Sequence, residues 1–284
     1  MCKLNKLKSI VLLALMSLSA VKADPTKKQD FTHEFTAGLE SFDYHYDETF
    51  KKHKKFMEFN GLTFGVNGSY QLTYKNSFFV RPEARWAYGN ADYKSSQGSD
   101  RNKHHIPSLI FETRLLVGVP FNVSSQLTVF PHTGMGYRYK SDDMSDIKSK
   151  ANIAGYKRVN KLWYVPLGMR FNHDFENSWF IQGLAEYDWM IQGRHLTYNK
   201  HFAPSPLVNK QKSGWGARGE LLAGYHFYKA SVAFGPYLNY WKIKKSSTER
   251  FTYYNDAGDD YPNTPGVEPA NMTREMGIKL NFTF

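Results

Sequence analysis

The sequence has a single cysteine, Cys2, and no apolar run after its N-terminal segment that is long enough to cross a bilayer as a helix. One thiol cannot form an internal disulfide, so a disulfide-stapled secreted scaffold is excluded. The patterns H-E-x-x-H and C-x-x-C are also absent, which removes common signatures of zinc and dithiol sites. Mean hydropathy is low, at −0.56. A low average still allows membrane strands, because each strand alternates apolar and polar residues.

The N-terminus has the organisation of a secretory signal peptide. Lys3, Lys6 and Lys8 form a basic start, residues 10–18 an apolar core, and Val21-Lys22-Ala23 a cleavage site with small residues. We therefore predict a signal peptide over residues 1–23 and one mature domain over residues 24–284. Cleavage removes four lysines and lowers the net charge from +11 to +7. That excess is explained either by an ordinary solvated surface or by attraction to an acidic one, such as lipopolysaccharide phosphates.

The C-terminal residues alternate in polarity. Met276, Ile278, Leu280, Phe282 and Phe284 share one face, and polar residues occupy the other. Similar period-2 segments recur along the chain, at about residues 32–46, 62–74, 80–88, 109–119, 127–139, 163–171, 179–191, 215–227, 232–240 and 276–284. Short turns and long polar connections separate them in strict alternation. The pattern predicts an all-β fold, a closed antiparallel up-and-down transmembrane barrel of ten strands, with short periplasmic turns and long extracellular loops.

Four prolines interrupt this pattern. Pro82, Pro131, Pro166 and Pro236 lie inside the predicted strands. Proline donates no hydrogen bond to a ladder, and a closed barrel has no edge strand to hold it. We therefore expect β-bulges near these residues, and prolines that instead mark strand ends would change the strand count.

The predicted lumen face carries many charges of both signs. Buried charges need partners, so these side chains are expected to pair across a narrow, mostly closed lumen. The alternative is a small-solute or ion pore whose arginines favour anions, although ten strands is near the number whose interior is filled by side chains. The predicted network comprises Arg81, Glu83, Arg85, Glu112, Arg114, Arg138, Arg170, Glu186, Asp188, Arg218, Glu220, Glu275 and Lys279.

Aromatic side chains recur near the predicted strand ends. Such rings form girdles at the headgroup level of membrane barrels, and we expect this role here. The predicted girdle comprises Tyr44, Tyr46, Trp86, Tyr88, Tyr137, Tyr139, Trp163, Trp189, Trp215, Tyr240 and Trp241.

Motifs for catalysis and cofactor binding are weak. The run from Gly214 to Gly219 matches G-x-G-x-x-G, but a strand follows it instead of a helix, so the glycines are interpreted as making room in the lumen. His132 is expected in the lumen, near Glu186 or Asp188, and His195 in a loop. No serine completes a triad with them, so catalysis is not expected.

Several sequence segments resemble strands of bacterial outer-membrane β-barrel proteins of the porin-family or OmpA type. They are residues 61–70, residues 134–139 and the C-terminal strand. The resemblance covers nearly the whole mature chain and implies architecture more than activity. No peptidoglycan-binding domain is expected after the barrel. Ten strands are also typical of omptin proteases, whose family carries an Asp-Asp pair and an Asp-His pair at the extracellular rim. Residues 90–93 and 193–195 of this sequence do not reproduce these pairs. The catalytic residues of lipid A-modifying barrels could not be matched in this sequence either.

We therefore expect an integral outer-membrane barrel without enzymatic activity, whose extracellular loops contact lipopolysaccharide, ions or host surfaces. A surface hydrolase is the disfavoured alternative. Expected partners are outer-membrane lipid, lipopolysaccharide and the barrel-assembly machinery, for which Phe282 and Phe284 form the signal. No cofactor, metal ion or nucleic acid is expected. The motivating basic loops contain residues 51–55 and 101–105 and, further along, Arg194, His195, Lys200, His201, Lys210 and Lys212.

Overall fold

A computed structural model describes residues 30–49, 55–95, 102–145, 155–199, 205–254 and 259–284. The predicted signal peptide and its cleavage site lie outside these residues. None of the described residues forms a helix long and apolar enough to span a bilayer. The strands are β1 (Phe31–Thr49), β2 (Lys55–Tyr74), β3 (Phe78–Ser95), β4 (Asn102–Gly118), β5 (Phe121–Asn122), β6 (Leu127–Asp143), β7 (Lys157–Asp174), β8 (Trp179–Tyr198), β9 (Leu207–Gln211), β10 (Gly214–His226), β11 (Ser231–Ile243), β12 (Glu249–Tyr254), β13 (Asp260–Gly266) and β14 (Ala270–Thr283).

Ten of these strands close into an antiparallel barrel, in the order β1-β2-β3-β4-β6-β7-β8-β10-β11-β14. The ring is completed by β14, which pairs with β1. At the other junction of the sheet, β8 pairs directly with β10. Short strands add to this frame: β5 pairs with β6, β9 with the end of β8, and β12 with β13. The prediction of a closed ten-stranded β-barrel is confirmed.

Alternation of side chains explains why these segments are strands. In β3, Arg85 and Ala87 are 8% and 0% exposed, whereas Trp86 and Tyr88 are 48% and 45% exposed. Successive side chains of a strand point to opposite faces, so one face fills the lumen and the other faces outward. An outward apolar face is stable only against lipid or another apolar surface.

The two ends of the barrel differ in their connections. At one end, here called the short-turn end, the strands are joined by tight turns. Between β2 and β3, Lys75 and Asn76 adopt positive φ values of 46° and 53°. The Ser77 N–H closes this turn by donating to the Tyr74 carbonyl at 2.8 Å, as in a type I′ hairpin. The opposite end carries the long connections and is called the long-loop end.

Strands at the long-loop end are longer than the sequence pattern predicted. The segment 193–213 was expected to be a loop, but β8 continues to Tyr198 and pairs there with β9. The expected loop 246–271 contains the hairpin of β12 and β13. Both faces of these extensions carry polar residues, so hydrophobic alternation stops before the hydrogen-bonded ladder does.

The prolines are accommodated mainly by gaps in pairing. Pro82 pairs with Leu115 of β4, but no partner on β2 faces it. Pro236 pairs with Ile278 of β14 and leaves a similar gap towards β10. Each residue directs its N–H to one neighbouring strand only, so proline removes a single hydrogen bond on one side. A register shift lies close to only one of the four prolines, between Trp163 and Tyr164, and the strand count is unchanged.

The long-loop half of the lumen contains an aromatic core. Tyr44, Tyr46 and Trp241 are each 1% exposed and pack inside the barrel, so their assignment to the lipid-facing girdle is wrong. Trp86, Tyr88, Trp163, Trp189 and Trp215 do face outward, with exposures between 37% and 62%. Tyr137, Tyr139 and Tyr240 lie on the outward face as well and are half-buried.

Candidate functional site: the lumen charge network and the outer basic row

The middle of the lumen is crossed by buried ion pairs that join opposite walls. Glu275 of β14 is fully buried and binds Arg85 of β3, with Arg85 Nη1 lying 2.7 Å from its Oε2. The other oxygen of Glu275 pairs with Arg138 of β6. Arg85 Nε also lies 2.5 Å from an oxygen of Glu40. These pairs connect β1, β3, β6 and β14 across the interior.

A second group of ion pairs centres on Arg218 of β10. Its Nη2 lies 2.5 Å from Glu112 Oε1, and its Nε lies 2.8 Å from Asp188 Oδ2. The Tyr164 hydroxyl donates to Glu112 at 2.6 Å and accepts from Arg218 at 2.9 Å. Gly136 stands opposite this ring, where a Cβ atom would overlap it. The hydroxyl therefore completes a network that satisfies both charges, as buried ions require.

The network continues through β4 and β8. Glu186 accepts from Arg114, and its Oε2 lies 2.8 Å from His132 Nε2. Arg114 also binds Glu83 at 2.6 Å. Among the described residues, His132 is therefore a structural partner of Glu186, held inside this network of ion pairs.

The short-turn half of the lumen holds the remaining predicted charges. Arg81 Nε lies 2.7 Å from Glu83, and Lys279 Nζ lies 2.6 Å from Glu220. Arg170 donates to the side-chain oxygen of Gln71 at 2.5 Å. A cavity of about 100 Å³ lies among these side chains. Every charged residue of the predicted network thus faces the lumen.

At the long-loop end, the lumen contains a further cluster that the sequence analysis did not identify. Arg158 pairs with Glu48 and lies 2.7 Å from Glu268. His195 Nε2 is 3.2 Å from Glu268, and His195 Nδ1 is 2.7 Å from Asn160 Oδ1. Glu268 lies in the connection between β13 and β14, beyond the barrel strands. Burial, reinforced by the neighbouring Glu48 carboxylate, raises the pKa of Glu268 well above the usual carboxyl range.

His195 was predicted to be a loop residue, but it lies in β8 and is 0% exposed. The Asn-x-Asp and Arg-His pairs considered for an omptin-like rim are also separated: Asp92 points outward from β3, whereas His195 points into the lumen. Arg194, Lys210 and Lys212 are exposed. The other basic-loop residues 51–54, 101, 200 and 201 lie outside the described part of the chain.

A row of cations crosses the outer face of the barrel near the long-loop end. Lys161 of β7 pairs in register with Arg194 of β8, and Arg194 pairs in register with Lys210 of β9. These three residues are called the basic row. No carboxylate of the described residues forms an ion pair with them. Directly below Lys161 on the same face, the rings of Tyr137 and Trp163 pack with centroids 4.9 Å apart.

The charge on this outer face is uneven. The exposed basic surface continues with Lys242 of β11, Lys244 just beyond this strand and Arg274 of β14. On the β1 and β3 side, the exposed charges have both signs: Asp43 and Asp92 are acidic, and Lys94 is basic. Among the described residues, a negatively charged surface is therefore attracted more strongly to the side that carries the basic row.

The glycine motif lies within a strand of the barrel. The motif lies in β10, and a Cβ atom at Gly216 would come within 2.9 Å of the Trp241 ring, so this glycine makes room for a lumen side chain. Among the described residues, no group of three or more His, Cys, Asp or Glu side chains is arranged to hold a metal ion.

Comparison with protein-family models and with curated proteins finds no match. The fold does match solved structures. Outer membrane protease OmpT from Escherichia coli is similar with a TM-score of 0.51 and 12% sequence identity, over 94% of this chain and 99% of OmpT. The translocator domain of autotransporter NalP from Neisseria meningitidis has a TM-score of 0.41 and 8% identity, over 99% of this chain and 95% of the domain. A major outer membrane protein from Thermus thermophilus has a TM-score of 0.37 and 11% identity, over 88% of this chain and 99% of that protein.

The likeness to OmpT shows that the chain has the fold of a bacterial outer-membrane β-barrel. The likeness to a protease over nearly the whole of both chains overturns the prediction that the protein is not an enzyme. At this identity the likeness is one of fold and assigns no activity to particular residues. The architecture is compatible with an enzyme as well as with a binding protein.

Proposed function

We propose that this protein is an outer-membrane barrel with an occluded lumen, and that its basic row binds the phosphate groups of lipopolysaccharide. The observation that carries the proposal is the register of Lys161, Arg194 and Lys210 above the Tyr137–Trp163 ring pair. Aromatic rings mark the headgroup level of a membrane. Cations immediately above them therefore lie at the height of lipid phosphates.

The spacing of the row suits a multivalent acidic ligand. Adjacent strands lie about 4.8 Å apart, so three cations on neighbouring strands span about 10 Å. Like charges in register repel each other when no anion lies between them. Each basic residue near an anionic membrane surface contributes about 1 kcal/mol, and a phosphate placed against the row also removes this repulsion.

The test is binding of lipid A or lipopolysaccharide to the refolded barrel, measured by isothermal titration in detergent. Replacing Lys161, Arg194 and Lys210 together by Gln is expected to weaken binding by about 3 kcal/mol, or about 100-fold. The loss should be largest at low ionic strength. The control replaces Lys75, Lys94 and Lys157 by Gln, which removes the same charge from outside the row. Equal losses in the two variants would contradict the proposal.

A second candidate function, a hydrolase at the long-loop end, is favoured by one observation. His195 Nδ1 hydrogen-bonds to Asn160 at 2.7 Å, whereas its Nε2 lies 3.2 Å from Glu268 and makes no hydrogen bond to the described residues. An imidazole with one ring nitrogen held and the other free of hydrogen bonds is able to accept a proton as a general base. His195 is fully buried, so substrate reaches it only if the segment carrying Glu268 moves. The test is hydrolysis of fluorogenic peptide and ester substrates. His195→Ala should abolish any hydrolysis, whereas His132→Ala should leave it unchanged. Hydrolysis that persists in the His195→Ala variant would reject this candidate function.

The pore alternative is not favoured by the geometry of the described residues. Ion pairs from β4 to β10 and from β6 to β14 cross the lumen, and the adjoining long-loop-side cavity measures about 10 Å³. We expect no steady ion current from the purified protein in planar bilayers. A stable single-channel conductance would show that the network opens.

A further inference from the structure

The short-turn half of the lumen contains a cavity of about 100 Å³, separate from the basic row. Its volume exceeds the space of one water molecule, whose share of the liquid is about 30 Å³. The lining includes Asn67, Arg81, Arg114, Arg170, Lys279 and Asn281. Three carboxylates, Glu83, Glu112 and Glu220, line it as well and are already engaged by Arg81, Arg114, Arg218 and Lys279.

Arg170 is the cation in this cavity that lacks an anion. It donates to Gln71 at 2.5 Å and packs against the rings of Phe79 and Phe130, at 5.5 Å and 5.0 Å from their centroids. No carboxylate of the described residues forms an ion pair with it. Its Nε atom is buried and has no hydrogen-bond partner. A buried charge with an unused donor is costly unless an anion compensates it.

Two amides in the cavity are also incompletely satisfied. Asn67 Nδ2 and Asn281 Oδ1 are buried without hydrogen-bond partners. They approach each other over Gly38, where a Cβ atom would lie 2.8 Å from the Asn67 amide and would overlap that of Asn281. Glycine at position 38 therefore keeps the space beside both amides open. An amide offers either N–H donors or an oxygen, depending on which way it is turned.

Water reaches this part of the lumen. The side chains of Arg114, Glu83 and Lys279 retain 9%, 18% and 18% exposure. Arg81 lies 3.3 Å from Glu34, whose side chain is 40% exposed. A small solute in the periplasm therefore has a polar route to the cavity from the short-turn end.

We propose that this cavity binds a small oxyanion of the phosphate class, held by Arg170 and the side-chain amide of Asn67. The ligand supplies the negative charge that Arg170 lacks and accepts hydrogen bonds from the two unused donors. Guanidinium groups and amide N–H groups are the donors that phosphate prefers. The strands wall the cavity off from the lipid, so the source is a free anion and not a lipid headgroup. This site does not depend on lipopolysaccharide binding at the basic row.

The test is isothermal titration of the detergent-refolded mature chain with inorganic phosphate, in a phosphate-free buffer at constant ionic strength. Saturable binding is expected for the unaltered protein. Arg170→Gln should weaken it at least about tenfold, because it removes one charge-assisted hydrogen bond and a positive charge that no carboxylate of the described residues pairs with. Asn67→Asp, which replaces a donor by a further carboxylate beside the ligand, should abolish it. Lys75→Gln removes an exposed charge that belongs neither to the cavity nor to the basic row, and it should leave phosphate binding unchanged.

Folding of each variant is checked by its heat-dependent shift in gel mobility, and Asn67→Asp tests the site if Arg170→Gln does not fold. Absence of saturable phosphate binding to the unaltered protein would overturn the proposal. Equal binding by the unaltered protein and both lumen variants would do the same. A parallel titration with dihexanoyl phosphatidic acid distinguishes the sources: if it binds and inorganic phosphate does not, the free-anion assignment is wrong.

Discussion

Replacing Glu275 by Gln is expected to destabilise the barrel far more than the same change at the surface. Glu275 is 0% exposed and binds Arg85 at 2.7 Å, Asn239 at 3.2 Å and Arg138. Gln keeps the shape but removes the charge and turns one oxygen into a donor that faces an arginine. Breaking a buried ion pair by changing one partner costs about 3–5 kcal/mol. Arg85 keeps Glu40 at 2.5 Å, so the lower value, about 3 kcal/mol, is expected here.

The measurement is urea unfolding of the refolded barrel in phospholipid vesicles, followed by tryptophan fluorescence. The matched control is Glu58→Gln, whose partner Lys94 lies 3.6 Å away and is 59% exposed. Exposed pairs contribute about 0–1 kcal/mol. Adding Arg138→Met to Glu275→Gln should recover part of the loss, because the stranded cation is then removed. If the two Gln variants are equally stable, the lumen is hydrated enough to screen its charges and the occlusion inferred above is wrong.

Two further predictions concern other parts of the barrel. Gly136→Ala places a methyl group against the Tyr164 ring and should lower the free energy of unfolding by about 1–3 kcal/mol in the same urea assay. The control is Gly68→Ala, where the added Cβ atom would lie 3.6 Å from its nearest neighbour, and it should cost less than about 1 kcal/mol. Equal losses in the two variants would contradict the close packing at Gly136. Because the pKa of Glu268 is raised by burial in the folded state, its contribution to stability is present at low pH and is lost as pH rises through that pKa. A spin label at Thr248→Cys should therefore become more mobile at higher pH, and a response that persists after Glu268→Gln would assign the titration to another group.

The barrel itself was predictable because it depends on local regularities. Side-chain period 2 is fixed by the pleat of a strand, so alternation in the sequence survives as inward and outward faces. The alternation of short and long connections follows from an up-and-down topology. These features fixed the strand count even though the prolines were expected to produce bulges.

Tyr44 and Tyr46 of β1 were assigned to the wrong side of the barrel because both faces of this strand mix apolar and polar residues. Phe42, Tyr44 and Tyr46 share their face with Glu40 and Glu48. Rings alone indicate a girdle, and carboxylates alone indicate a lumen. The structure shows that the carboxylates decide, since they need cations such as Arg85 and Arg158 and find them only inside. Acidic residues two positions from an aromatic run were the signal that could have placed this face inward.

The basic row was not visible in the sequence because it depends on one extra residue in β8. At the bulge, Trp163 pairs with Gln192 and Tyr164 with Met190, which leaves Ile191 without a partner. One inserted residue reverses the facing of every side chain beyond it. Continued alternation from Met190 would have turned Arg194 inward and His195 outward. The bulge therefore places the cation of β8 beside Lys161 on the outer face and the histidine beside Glu268 in the lumen, so a single register shift creates both candidate sites.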